Sequence, residues 1–592
     1  MDLLRVANCS GFYGDRLAAA KEMVEGGPID VLTGDYLAEL TMAILWRTQR
    51  KDPDRGYAET FVVQMGEVMA TCLERGIRVV SNAGGLNPGG LATRLQDMAT
   101  AAGLEPRIAV VDGDDLLDRL DDLGQTGELR HQVSGQPFQA LGKQALTANA
   151  YLGGWGIASA LDGGADIVVT GRVTDAALVI GPAAWRFGWK RQDWNPLAGA
   201  LVAGHVIECG AHATGGNFSF FKEVPGLDHV GFPIAEIEPD GSFTVTKHPG
   251  TGGLVDVETV TAQILYEIGG PRYLNPDVVA RFDTISLSQD GPDRVRVEGA
   301  IGEPPPPELK VGVNFLGGWR NTVTFALTGL DIVEKAAAIV RAMSAATGGP
   351  AAFDTFDTEL VRWDRPDPPD QAAATAHLRI TVKDDDQAKV GRSFSNSAVE
   401  LALAHYPGLY LLSPPEAASQ FPVFWPGLVS ASLVPTRVTL AGESVIVPAT
   451  EGQGADHARP GAAMPMHPDE TGPCSWAPLG AVAGARSGDK GGDANVGLWA
   501  RTAEAWPWLA GFLTVERFVE LVPESEGLDI DRYEFPNLRA INFVVRGLLG
   551  EGVAASNRVD PQAKALGEYL RARIVQVPTT LIEGSQVSRL ES

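Results

Sequence analysis

Cysteine is nearly missing from this chain. Four occur in 592 residues, at Cys9, Cys72, Cys209 and Cys474, and no two form a CxxC pair. That excludes a disulfide framework and the usual structural zinc spacings, and it suits a reduced cytoplasm, where the protein is expected to reside. Long apolar runs are missing as well, since none approaches the ~20 residues needed to cross a bilayer. Positive charge falls short: 48 basic residues stand against 74 acidic ones, a formal charge of −26. This balance repels nucleic acid and anionic membrane, so neither is expected as a partner. Histidine is scarce, with nine in the chain. GxGxxG, a Walker loop and HExxH do not occur, so no cofactor and no metal are expected. The N-terminus, Met1 to Asn8, lacks a charged leader and a long apolar core, and reads directly as a first strand.

What is present is a repeated unit. Asp30-Val-Leu-Thr-Gly34-Asp35-Tyr36, Ile77 to Gly90 and Ile167-Val-Val-Thr170-Gly171-Arg172-Val-Thr174-Asp175 each run from a short apolar strand through a glycine turn into a helical pattern. Strands alternating with helices imply a mostly parallel sheet, with ligands beyond the strands' carboxyl ends. The fold class expected is α/β. A doubly wound, mostly parallel sheet fills residues 1–225, and a second mixed α/β lobe fills 226–455. A linker follows at 456–476, and a small α+β domain at 477–592. The acidic run Asp112 to Asp122 carries apolar residues at helical spacing and reads as the solvated face of a helix.

Four loops carry chemistry. In Asn82-Ala-Gly84-Gly85-Leu-Asn87-Pro-Gly89-Gly90, glycine pairs let backbone amides approach an anion, and Asn82, Gly84, Gly85 and Asn87 are expected to contact a ligand. Arg172 offers a planar fork for a carboxylate or phosphate, and Asp175, in the first helical turn after it, is a base or a cap. Asp35 and Glu39 face the same choice. His205-Val-Ile-Glu208-Cys209-Gly-Ala-His212 through Asn217 and Ser219 gathers titratable groups. Glu208 and His212 are the expected proton movers, ahead of a metal site or a Cys209 nucleophile. Near the C-terminus, Ser487-Gly-Asp489-Lys490-Gly-Gly-Asp493-Ala-Asn495 reads as a glycine-rich loop in which Ser487, Asp489, Lys490 and Asn495 hold an anion.

Four of these segments, SNAGGLNPGGLA (81–92), TGRVTDAAL (170–178), ECGAHATGGNFS (208–219) and SGDKGGDANVGL (487–498), together resemble the acyclic terpene utilisation (AtuA-like) family. The resemblance implies a long N-terminal region and a ferredoxin-like C-terminal domain, and a place in branched acyl-CoA breakdown. It carries over no catalytic residue. The function expected is hydratase, dehydratase or carbon–carbon lyase chemistry on an anionic acyl-CoA or its free acid, in a homo-oligomer. The alternatives are a non-catalytic subunit of an acyl-CoA carboxylase-type complex, or a metal-dependent hydrolase in which His205, His212 and a carboxylate converge.

Overall fold

The computed structural model describes residues 3–453 and 472–584. By its internal contacts the chain forms two units: Met1–Asn314, Phe424–Val553 and Asp560–Ser592 make one, and Phe315–Val423 with Ala554–Val559 the other.

The first unit is built on an eleven-stranded mixed sheet. Its centre is β1 (Leu4–Asn8), β2 (Val31–Gly34), β3 (Arg78–Ser81), β4 (Ile108–Asp112) and β5 (Ile167–Thr170), in the spatial order β1-β2-β3-β5-β4, all parallel. These strands are short runs of Val, Ile, Leu and Ala because both faces are covered. Ala7, Leu32, Val79 and Val169 pack into one core with the helices Ala19–Gly26, Glu59–Arg75 and Pro88–Ala101. Their neighbours Val6, Val31, Val80 and Val168 point to the opposite face and are equally buried.

Antiparallel strands flank this centre. On the β1 side lie β6 (Pro233–Ile237), β7 (Phe243–Lys247), β8 (Ser286–Gln289) and β9 (Val295–Glu298), in the spatial order β6-β7-β9-β8. On the β4 side lie β10 (Thr436–Leu440) and β11 (Glu443–Val447). The strands at 233–298, expected in a second lobe, thus extend the first sheet. The outermost strands β8 and β11 are largely exposed, whereas β6 and β7 are nearly as buried as the centre.

The second unit holds the end of the long strand Glu308–Thr328. There it pairs antiparallel with Thr375–Asp384, which pairs in turn with Thr355–Val361. Helix Ile332–Thr347 buries Ile332, Ile339 and Met343 against Phe325, Leu378 and Phe394.

The chain's last part folds as an antiparallel sheet of β12 (Ala483–Lys490), β13 (Asp493–Ala500), β14 (Ile530–Phe535) and β15 (Ala540–Val545), in the order β12-β13-β15-β14. Helices Ala505–Phe512, Val515–Leu521 and Leu566–Ala572 close its core. Here one expectation is corrected: Ser487 to Asn495 is a β-hairpin rather than a loop. Its turn is Gly491-Gly492, and Lys490 pairs with Asp493 across it. A 3₁₀ turn, Leu479–Ala481, leads into β12. The expected linker lies outside the described residues as far as residue 471, and from Cys474 the chain is already a strand, Cys474–Pro478. Among the described residues no helix is long and apolar enough to cross a membrane.

Candidate functional site

Because β2, β3, β5 and β4 are parallel, their carboxyl ends meet at one edge, and Gly34, Asn82, Gly171 and Arg172 lie along it. The backbone there is tightly fitted. A Cβ on Gly171 would stand 2.2 Å from Asp114 Oδ1, and that carboxylate accepts from the Arg172 amide at 2.9 Å and from Asn149 at 2.8 Å. Burial pushes Asp114 up to about 7.

Most of the amide-bearing residues expected to meet a ligand are engaged within the protein. Asn82 Oδ1 accepts from the Tyr36 amide at 2.8 Å, and its Nδ2 donates to Asp35 Oδ1 at 2.6 Å, so Asn82 orients Asp35. Asn87 caps helix Pro88–Ala101 by accepting from Gly90 N at 2.9 Å, and it donates to the carbonyls of Asp54 and Arg55. Gly84 and Gly85 make room for close packing: a Cβ would meet Thr170 O at 2.4 Å and Leu45 at 2.3 Å.

Charged side chains converge at this edge. The Arg172 guanidinium, 4% exposed, donates to the Leu37 carbonyl, faces Asp175 at 3.1 Å and lies 4.1 Å above the Tyr151 ring. Lys310 occupies the same ring at 4.9 Å and pairs with Glu39 at 2.8 Å. Burial works against the Arg172 charge, but Tyr151, Asp175, Asp35 and Glu39 together outweigh it and the group stays cationic. Burial raises Asp35 and Asp175, each opposed by Arg172. The two carboxyls also repel one another, so the pair holds a proton to higher pH than ordinary aspartates.

Glu208 and His205 form a second centre at the end of helix Trp194–Ile207. His205 Nε2 is 3.2 Å from the Ile264 carbonyl, which can only accept, so Nε2 carries the hydrogen. In a neutral ring Nδ1 is then bare, and it lies 3.2 Å from Glu208 Oε1. A carboxylate there would face Nδ1 acceptor to acceptor, leaving both buried atoms unpartnered, whereas a carboxylic acid donates to it. The electrostatics agree. Burial brings His205 down to about 4. Burial, with Asp175 and Glu267 beside it, raises Glu208 far above the usual range. Burial and this contact both favour the protonated form of Glu208.

The hairpin of the C-terminal domain completes the cleft. Arg486, Gly488, Lys490, Asn495 and Gly497 share one face of β12–β13, while Ala485, Ser487, Val496 and Leu498 face the other way, three of them into the domain core. Asn495 accepts from the Glu267 amide at 2.8 Å, and its neighbour Asn542 donates to Gly269 O at 2.6 Å. Gly488 clears Tyr266 and Gly497 clears Leu265: a Cβ would stand 2.5 Å and 2.6 Å from them. Lys490 donates to the Glu267 carbonyl at 2.8 Å and reaches solvent within the cleft. Asp489 pairs with Lys564 at 3.3 Å. Ser487 accepts from Gly567 N at 2.8 Å and so anchors helix Leu566–Ala572. Residues from distant parts of the chain thus stand within electrostatic reach of one another: Glu208 feels Asp175, Glu267, Lys490 and Arg172, and Lys490 feels Lys310, Glu267, Glu39 and Glu208. Gly488→Ala is expected to cost about 1–3 kcal/mol through overpacking against the Tyr266 ring, measured as a fall in unfolding midpoint.

His212 stands apart from Glu208. Arg486 Nη2 lies 2.8 Å from its Nδ1, and Asn217, in a left-handed conformation, lies 2.7 Å from Nε2. Burial and then Arg486 keep this ring neutral. His205 and His212 are held by different partners, and among the described residues no three His, Cys, Asp or Glu side chains are grouped to hold a metal. Lys310, Glu267, Tyr151 and Tyr273 were not singled out from the sequence. Lys310 lies in an alternating strand and Glu267 in a turn, and neither has a local motif around it.

A sheet with a parallel centre, an ionic cleft at its carboxyl edge and a small antiparallel domain closing that cleft define the class: a two-part α/β protein. The family described as acyclic terpene utilisation family protein AtuA matches residues 4–440, and the AtuA ferredoxin-like domain matches residues 477–576. The chain belongs to the AtuA family. No curated protein and no solved structure matches it.

Proposed function

We propose that this protein is an enzyme of branched acyl-CoA or related acid catabolism, performing hydration–dehydration or carbon–carbon lyase chemistry. The observation that carries the reading is the buried Glu208, whose Oε1 lies 3.2 Å from His205 Nδ1 and whose carboxyl is raised well above the usual range by burial, Asp175 and Glu267 against the pull of Lys490 and Arg172. A buried carboxylic acid that keeps its proton at pH 7 can donate it to a developing oxyanion or to a leaving hydroxyl. Arg172 and Lys310, packed against Tyr151, supply the positive field for a carboxylate or thioester oxygen. Asp175, coupled to Arg172, is the proton acceptor. Asn82 orients Asp35, and Arg486 with Asn217 fixes His212, so these act as positioning residues. A non-catalytic subunit would have use for the cations but none for a protonated Glu208 beside Asp175.

A thermal-shift panel of branched acyl-CoAs and their free acids tests this reading. A ligand at about 100 times its Kd stabilises the folded state by ~2.7 kcal/mol. Stabilisation by one acyl class, lost in Arg172→Lys because the fork is lost, is the expected outcome. Equal affinity of that variant and the parent would remove Arg172 from the site.

A further inference from the structure

We infer that Lys490 is a nucleophilic amine that captures a ketone or aldehyde carbon of the substrate as an imine, which narrows the substrate class to oxo acids or their thioesters. The inference rests on the cleft described above, and it gives Lys490 a different part from that of a counter-charge.

Three features of its surroundings support this. First, its contact is with a neutral acceptor: Lys490 Nζ donates to the Glu267 carbonyl at 2.8 Å. The other lysines of the cleft close on carboxylates, Lys310 on Glu39 at 2.8 Å and Lys564 on Asp489 at 3.3 Å. A lysine held by a carbonyl gives up its proton with less loss than one held in an ion pair. Second, Lys490 is open to solvent in the cleft, so a small molecule can reach it. The Tyr273 ring, stacked on Phe282 at 5.1 Å, lies under it at 5.8 Å, a contact that favours the ammonium form. Third, the protein crowded around this exposed amine and then the neighbouring Lys310 lower its affinity for a proton, against the pull of Glu267, Glu39 and Glu208. A crowded amine beside another cation is a recognised way of making lysine nucleophilic at neutral pH.

The step balances with groups already present. Lys490 loses one proton to a carboxylate of the cleft and its nitrogen bonds the carbonyl carbon, while the C=O π pair moves to oxygen. Glu208 protonates that oxygen. The nitrogen, now positively charged, gives a second proton back to the Glu208 carboxylate, and its freed lone pair expels the hydroxyl, which takes up the proton first removed from Lys490 and leaves as water. The iminium that remains is the electron sink that makes the adjacent carbon–carbon bond or α-hydrogen labile.

The test uses the full chain and acetylacetone, a 1,3-diketone that turns an imine-forming lysine into a stable vinylogous amide. Peptide mass mapping at neutral pH should show Lys490 labelled faster than the exposed Lys21 and Lys51, since a lowered pKa gives more free amine. Lys490→Arg should keep the fold and lose that adduct. Labelling of Lys490 no faster than of Lys21 and Lys51 would overturn the inference. If acyl ligands still stabilise the parent in that event, the cleft stands and only the imine falls. Fast labelling with no stabilisation by any acyl ligand would instead support the imine and count against the acyl substrate.

Discussion

Replacing Glu208 by glutamine is expected to lower turnover by about 10²–10⁴-fold while leaving the fold in place. Glutamine keeps the shape and still offers an N–H to the bare His205 Nδ1, so the buried pair stays satisfied. It cannot give up a proton to substrate. Stability should reveal the same group. A carboxyl whose folded pKa lies above its unfolded value binds more protons when folded. Stability is then greatest below the ordinary glutamate range and falls as pH rises toward the raised folded value, above which the loss is complete. The parent should therefore lose midpoint temperature as pH rises from about 5 to about 8, and Glu208→Gln should show less of this decline. A slope unchanged in the variant would mean that Glu208 is ionised in both states.

Arg172→Ala is expected to be the most destabilising single change, by about 3–5 kcal/mol. The guanidinium is buried and serves Asp175, the Leu37 carbonyl and the Tyr151 face together. Removing it leaves Asp35 and Asp175 buried without their cation. Those carboxyls would answer by holding their protons more tightly, so the deficit should be smaller near pH 5 and larger near pH 8, on the order of 1 kcal/mol across that range. Denaturant unfolding at the two pH values measures it. A uniform loss at both would show that Arg172 acts through packing alone. Asp175→Asn in the same series should recover part of the lost stability, because it removes one of the uncompensated charges.

The elements that position the cleft were legible where local pattern and tertiary role coincide. Val31–Gly34, Arg78–Ser81 and Ile167–Thr170 are short apolar runs stopped by glycine or asparagine, and parallel pairing carries their ends to one edge. The hairpin at Ala483–Ala500 was misread for a physical reason. One of its faces docks on Leu265, Tyr266 and Glu267, so its outward positions are Arg486, Gly488, Lys490, Asn495 and Gly497. Glycine and polar residues at alternate positions look like a turn when the docking partner is unseen. Asn82 and Asn87 were legible as special, but their amides serve the turn and the helix start instead of reaching outward. Lys310 and Glu267 reach the cleft from segments far along the chain. Glu267 does so with φ +56°, a conformation that nothing in its neighbouring residues announces.

The protonation of Glu208 is the claim on which the proposed chemistry rests, and infrared difference spectroscopy measures it directly. The spectrum of the parent minus that of Glu208→Gln at pH 7 should contain a positive carbonyl stretch of an undissociated carboxylic acid, shifting in deuterium oxide. A difference spectrum with only the carboxylate bands of an ionised glutamate would contradict the account.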